Sequence, residues 1–252
     1  MSEYIYKART NKEIRGYARE RLIGNMLIPC LVTFFFFSVK NVFGMLMQLG
    51  VLGQSAFAFV FYIALFLTIN SIFGLIQYGI SRYFLSFITT KKASPANIFA
   101  GFQKSTETII GASLILSIIS LVFQLPSLIY LFFFSADTIH SLLMSLGLFL
   151  IGTLLAYLIE AYLAPIYFVI CDYPEMHLPM IFFMTLSLMG TKNYIKYILL
   201  QISFIPLYIL GFVSFGIGLL WVVPYTYTSY AYFYETLCET FAEKNAAKEE
   251  SK

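Results

Sequence analysis

Charge is what this sequence has least of. Asp, Glu, Lys and Arg make up 12% of its 252 residues, about half the share usual in soluble domains. With 60% hydrophobic residues, a water-soluble fold would have too little polar surface to cover itself. A bilayer is the solvent that accepts such a surface. Histidine is scarce as well: His140 and His177 are the two, and they fall on opposite sides of the expected membrane, so they share no site. The three cysteines, Cys30, Cys171 and Cys238, lie in or near helix ends and none falls in an expected outer loop. That excludes a disulfide framework. The sequence has no phosphate-binding loop, no Gly-x-Ser-x-Gly elbow and no His-Glu-x-x-His, so the common soluble-enzyme motifs are missing. A cleavable leader is not expected either. Some twenty polar residues precede the first apolar run, and that run exceeds the ~7–15 residues of a signal core.

Long apolar runs are what the chain has instead. A membrane-spanning helix needs about 20 apolar residues, and six stretches qualify: 23–47, 57–81, 108–133, 142–170, 194–212 and 215–237. The fold class expected is therefore all-α, a polytopic membrane protein with six transmembrane helices. The last two spans, separated by little more than Gly211–Gly216, form a tight hairpin. Segments 1–22, 82–107, 171–193 and 238–252 are polar and charged, whereas 48–56, 134–141 and 211–216 are short and nearly uncharged. Of the sixteen Lys and Arg residues, fifteen fall in or beside the first group, and Lys40 alone falls on the other side. Basic residues resist translocation, so both termini are expected in the cytoplasm. Three parts follow: a basic amphipathic segment 1–22, a transmembrane domain 23–237 and a charged tail 238–252, a fraying helix end or disordered.

A pattern precedes each odd-numbered span. Ile14, Tyr17, Ala18 and Leu22 recur at helical spacing, with Lys12, Arg15 and Arg19 on other faces. Ile98, Phe99 and Phe102 do the same ahead of Lys104, and Ile181, Phe182, Leu186 and Met189 ahead of Lys192. Each reads as a short amphipathic helix at the inner interface. The first and third end alike, in Leu22-Ile23-Gly24-Asn25 and Leu188-Met189-Gly190-Thr191. The chain therefore reads as three units of interfacial helix plus transmembrane hairpin, or simply as a chain with basic amphipathic flanks. Lys12, Arg15, Arg19, Arg21, Lys91 and Lys92 are the candidate contacts to anionic headgroups. Nothing points to nucleic acid.

Asp172-Tyr173-Pro174-Glu175-Met176, Ser187-Leu188-Met189-Gly190, Ser203-Phe204-Ile205, Gly216-Ile217-Gly218-Leu219-Leu220-Trp221, Pro224-Tyr225 and Phe233-Tyr234 carry a family resemblance. Ala18-Arg19-Glu20-Arg21-Leu22-Ile23-Gly24-Asn25 and Phe99-Ala100-Gly101-Phe102 extend it toward the start. Together they resemble the bacterial integral membrane proteins of domain of unknown function 975. The resemblance runs over nearly the whole chain and is densest in the last third. It implies six spans and a bacterial plasma membrane. It implies no activity, so no residue roles come with it.

Polar chemistry inside the spans is sparse. Cys171, Asp172, Glu175 and His177 cluster in one inner loop, but their spacing matches no common zinc pattern; a turn and helix start explains them, and no metal or cofactor is expected. Pro29, Pro126, Pro165, Pro206 and Pro224 interrupt five of the six spans. Such prolines either reflect ordinary membrane-helix usage or free carbonyls for a binding site. Tyr225, Tyr227, Tyr230, Tyr232 and Tyr234 crowd the inner end of the last span, with Tyr227, Tyr230 and Tyr234 on one face. They form an aromatic belt or a stacking wall for a ligand or partner helix. Asn70, Gln77 and Gln201 are intramembrane amides, which usually bridge helices.

Glu160 stands out. It lies ten residues before Ile170 in the fourth span, about 15 Å from the inner helix end at ~1.5 Å per residue. An acid at that depth costs ~2.5–3.5 kcal/mol if it faces lipid. Gly152, Ala156, Glu160 and Ala164 recur every four residues, and small residues at that spacing admit a neighbouring helix. Glu160 is thus expected in a protein interior, neutral and hydrogen-bonded to Asn70, Gln201 or a carbonyl freed by Pro206 or Pro224. Apart from Glu235, near the inner end of the last span, it is the only carboxylate in the spans, so no catalytic acid pair is expected at its depth and no enzyme is expected. The reading favoured by the sequence is a non-catalytic accessory, scaffold or immunity-type membrane protein, acting with a membrane partner or a second copy. The alternative is a small transporter or lipid-handling protein using Glu160, and such a protein should show a polar cavity reaching that residue.

Overall fold

In a computed structural model, which describes residues 9–49, 55–90, 93–133 and 139–250, all regular structure is helical. The helices are α1 (Asn11–Leu22), α2 (Leu27–Leu49), α3 (Ala56–Thr90), α4 (Thr106–Phe133), α5 (Ile139–Tyr162), α6 (Ile166–Asp172), α7 (Leu178–Ile202), α8 (Ile205–Val213) and α9 (Leu219–Glu250), with a 3-10 helix over Pro95–Phe102. Five stretches are long and apolar enough to cross a membrane: Leu27–Leu46, Ala56–Thr90, Thr106–Phe133, Ile139–Asp172 and Leu178–Val213. The chain is thus a multi-pass membrane protein by its helices. The first part of α9, where a further span was expected, is not among the five. Tyr225, Thr226, Tyr227, Thr228, Ser229 and Tyr230 run through its middle, and these residues lower its hydropathy.

Of the segments expected as amphipathic helices, the first is α1, the second is the 3-10 helix, and the third is the first half of α7, up to Gly190. Thr10 and Glu13 form a capping box that starts α1: the Glu13 amide donates to Thr10 Oγ1 at 3.3 Å, and the Thr10 amide donates to Glu13 Oε2 at 2.6 Å. Two orphan amides are satisfied in this way. Ile14, Ala18 and Leu22 form the buried stripe of α1. Each short piece is joined to the following long helix through a residue of positive φ: Gly24 at 79°, Ser105 at 55° and Gly190 at 47°. The backbone thus repeats where the sequence repeats. At Gly190 the junction lies inside α7, which is two helices meeting at a kink with φ 47° and ψ 164°. That region of backbone space is essentially closed to residues with a Cβ.

One cluster of buried apolar side chains gathers the second half of α3, α6 and the short helices. α3 was expected to end near residue 81, yet it continues to Thr90, and Tyr83, Phe84 and Phe87 on this extension are buried. Leu22 of α1, Ile98 of the 3-10 helix, Ile181 and Leu188 of α7 and Ala231 of α9 close around it in one apolar cluster. The approaches are intimate. A Cβ on Gly79 would lie 1.8 Å from the Ile98 carbonyl oxygen, and one on Gly101 would lie 2.4 Å from that of Leu75. Arg21 donates through Nε, at 2.8 Å, and through Nη2 to the Phe87 carbonyl, with its guanidinium 5.0 Å from the Phe87 ring centre. Phe87 lies in the last turn of α3, where carbonyls lack intrahelical donors.

The prolines act unequally. Pro126 and Pro224 sit inside continuous helices, and Pro29 lies within the first turn of α2. Pro165 marks a real break, between α5 and α6, and Pro206 follows another, between α7 and α8. The expected interruption of five spans therefore reduces to two breaks beside proline. The expected tail 238–252 begins as a continuation of α9, helical to Glu250.

Candidate functional site

The break before α6 positions the site. Pro165 has no amide to continue the helix. The Leu163 and Ile166 amides bond to carbonyls three residues back, those of Glu160 at 2.9 Å and Leu163 at 3.0 Å. The chain tightens for one turn, and Glu160 sits at its start, beside a cavity of about 350 Å³. The cavity lies between α3, α4, α5, α6, α7 and α9; apolar side chains such as Phe73, Leu116, Ile166, Phe168 and Phe233 make up most of its wall, with polar groups set among them. α3 contributes Asn70, Gln77 and Ser81; α4 contributes Ser113, Ser117 and Ser120. The remaining polar groups are tyrosines: Tyr167 from α6, Tyr197 from α7, and Tyr227, Tyr230 and Tyr234 from α9. No Lys, Arg or His among the described residues lines it.

The small residues on α3 and α5 explain why the walls come so close. A Cβ on Gly74 would fall 1.7 Å from Ser113 Oγ, so α3 and α4 meet at this point. Ser113 in turn shares a 3.0 Å hydrogen bond with the Tyr167 hydroxyl. Gly152 and Ala156 are buried where α5 lies on α4, and a Cβ on Gly152 would come 2.3 Å from the Phe123 carbonyl oxygen. Ala164, the next residue at that spacing, lies in the break and lines the cavity. Glu160 is half-buried and turned to the cavity.

Asn70, one expected partner of Glu160, lines the same cavity. The Asn70 amide donates instead to Phe66 in its own helix, at 2.8 Å. Gln77 lies beside Tyr227 and Gln201 beside Tyr197. Gln201 does not line the cavity, and neither is it brought to Glu160. Tyr227, Tyr230 and Tyr234, which share a helix face, all line the cavity and pack among themselves and their neighbours. Tyr227 and Tyr230 stand 6.2 Å apart at 71°, and Tyr197 and Tyr230 5.4 Å apart. The contributions of Tyr167, Ser113 and Ser117 were not singled out in the sequence. A serine or tyrosine in an apolar run has no periodic signature of its own.

The basic residues divide. Arg21 is engaged with Phe87, whereas Lys12 and Arg19 are exposed. Arg15 is half-buried, and its Nε finds no hydrogen-bond partner among the described residues. Lys91 and Lys92 lie outside the described residues. Arg9, which the sequence did not single out, bridges Glu235 at 2.6 Å and Glu239 at 3.0 Å. Its guanidinium lies 5.3 Å from the Tyr17 ring centre and 5.9 Å from that of Tyr232. Cys171 is part of α6, Asp172 binds Tyr234, and Glu175 and His177 are exposed. Among the described residues no group of three or more His, Cys, Asp and Glu is placed to hold a metal ion.

Comparison with known proteins gives no match among curated proteins and none among solved structures. One family model does match, described as protein of unknown function (DUF975), over residues 1–240. The chain belongs to that family.

Proposed function

We propose that this is a non-catalytic, six-span protein of the bacterial plasma membrane that takes a small solute or lipid fragment into the cavity beside Glu160. The cavity itself carries the reading. It brings one carboxyl together with phenol, hydroxyl and amide groups around a space of about 350 Å³, a size in the range of small-ligand sites. The helix break at Pro165 supports it, because broken helices place backbone groups and an acid at the depth where transporters bind. α9 supplies the sixth span, and the excess of basic residues on one side supports cytoplasmic termini. α1, the 3-10 helix and the first half of α7 lie at the inner headgroup level in this reading, with Lys12, Arg15 and Arg19 toward anionic lipid.

Reconstitution into liposomes with candidate solutes tests the proposal. Glu160→Gln keeps a donor and an acceptor and should fold normally while flux falls. Full flux in both Glu160→Gln and Glu160→Ala would remove the carboxyl, and with it the cavity, from the mechanism. An accessory role is the second reading. Leu150, Leu154 and Leu158 form an exposed stripe along α5 that a partner helix or a second copy would cover as well as lipid does.

A further inference from the structure

We propose that the ligand of the Glu160 cavity is an organic monocation, an amine or quaternary ammonium, that enters in exchange for the Glu160 proton; the inference rests on the solute-binding reading above. The wall chemistry sets the sign of charge. The cavity presents one carboxyl, together with phenol, hydroxyl and amide groups. An anion would find no cationic partner there, and a buried unpaired charge is expensive. A monocation is neutralised by one carboxylate, whereas a dication is not.

The walls also set the kind of cation. Five tyrosines from three helices, Tyr167, Tyr197, Tyr227, Tyr230 and Tyr234, surround the space. Aromatic rings attract weakly hydrated cations through their faces, and quaternary ammonium ligands are the usual beneficiaries. A single alkali ion would leave most of about 350 Å³ unfilled.

The proton follows from the same inventory. Facing Glu160 are amides from α3, hydroxyls from α4, and tyrosines from α6, α7 and α9. Phenols stay neutral well above physiological pH, so no neighbouring group compensates an ionised Glu160 when the cavity holds no cation. The exchange balances. The carboxyl O–H bond breaks, its proton leaves to water, and the carboxylate left behind pairs with the incoming cation. No electron moves.

Titration calorimetry of the full chain in detergent with tetraethylammonium, in two buffers of different ionisation enthalpy, reads both parts. Binding with release of about one proton is expected, and affinity should weaken about tenfold for each pH unit of acidification while Glu160 is protonated. Glu160→Gln should weaken binding at least tenfold and abolish the release. Tyr230→Leu should weaken it by roughly 3–30-fold and Tyr230→Phe hardly at all, the range of cation–π attraction. Cation binding without proton release in the unaltered chain would overturn the exchange, even if the Glu160 variants fail to fold. Equal, Glu160-dependent binding of glycerol, propanesulfonate or sodium would overturn the ligand class and leave the cavity reading standing. Absence of tetraethylammonium binding overturns the class. If liposome flux is also absent for every solute, the reading beneath it falls too.

Discussion

The Tyr234 hydroxyl donates a 2.7 Å hydrogen bond to Asp172 Oδ2, tying α9 to the end of α6. Tyr234 also lines two spaces, the Glu160 cavity and a second pocket with Arg82, Asp172, Glu235 and Cys238. Its ring, stacked on Phe168 at 5.3 Å and 18°, is therefore the wall between them. Tyr234→Phe keeps the ring and loses the bond, so unfolding should cost about 1 kcal/mol less with solute flux nearly unchanged. Tyr234→Ala removes the wall, and flux through reconstituted protein should rise. Equal flux in the two variants would show that the pockets do not communicate at this residue.

Cys238 reports on the same place from the other side. Burial pushes its thiol above the ordinary range; Tyr234 opposes the shift, and Asp172, Glu235 and Glu239 add to it. A raised thiol holds less thiolate at neutral pH, and the thiolate is the reactive form. With Cys30 and Cys171 replaced by serine, Cys238 should react with a water-soluble maleimide more slowly than a free thiol at pH 7. The rate should climb as pH rises through the shifted range. A rate equal to that of free cysteine would mean that the site is wetter and less acidic than the structure shows.

Gly79 and Gly147 form a matched test of helix contact. A methyl group at Gly79 collides with the backbone of Ile98, which cannot swing away as a side chain can, whereas one at Gly147 meets nothing within 4 Å. Gly79→Ala should displace the 3-10 helix and cost upward of ~3 kcal/mol, in the range of severe core disruptions. Gly147→Ala should be neutral or gain up to ~1 kcal/mol from helix propensity. Thermal unfolding in detergent separates the two outcomes, and similar midpoints would contradict the packing of the 3-10 helix on α3.

Local pattern was legible in the sequence, and assembly was not. The ends Leu22-Ile23-Gly24 and Leu188-Met189-Gly190 mark junctions whose glycines adopt positive φ. Glycine is the residue that such a backbone demands. The middle junction uses Ser105, at φ 55°, and so carried no glycine to announce it. Glu160 was visible as a lone acid with small residues at i−8 and i−4. The space beside it was not, because it is bounded by residues from six helices whose register only tertiary packing fixes. Likewise Tyr83, Phe84 and Phe87 read as apolar residues past the end of a span. Their burial depends on Leu22, Ile98, Ile181 and Ala231, each from a different segment.

Arg9 shows the same limit, since nothing in its neighbourhood predicts Glu235 and Glu239 as partners. One guanidinium between two carboxylates and two tyrosine rings should contribute roughly 1–2 kcal/mol, more than an isolated surface pair. Arg9→Gln should therefore loosen α1 from α9 and speed proteolysis near residue 10. Burial already holds the Glu239 carboxyl above its ordinary value, with Arg9 opposing the shift, so removing Arg9 raises it further. The folded variant then takes up a proton more readily than the unfolded chain does. Its deficit should be larger at pH 7 than at mildly acidic pH. A deficit that grows on acidification would contradict this sign.

The basic residues of α1 should separate by role when the lipid is changed. Lys12 and Arg19 are exposed, and Arg15 keeps a buried Nε without a partner among the described residues. Lys12 and Arg19 are free to meet phosphate oxygens, each worth about 1 kcal/mol near an anionic surface. Arg21 is committed to the Phe87 carbonyl and ring. In nanodiscs, anionic lipid should stabilise the unaltered protein relative to neutral lipid, and salt should erase the difference because exposed charges are screened within ~10 Å at 0.1 M. Lys12→Gln and Arg19→Gln should each reduce this lipid-dependent increment while barely changing stability in neutral lipid. Arg21→Gln should do the reverse, lowering stability equally in both lipids, since what it loses is a cap on α3 and not a headgroup. If Arg21→Gln instead removed only the anionic increment, its bond to Phe87 would not be the contact that holds α1 in place.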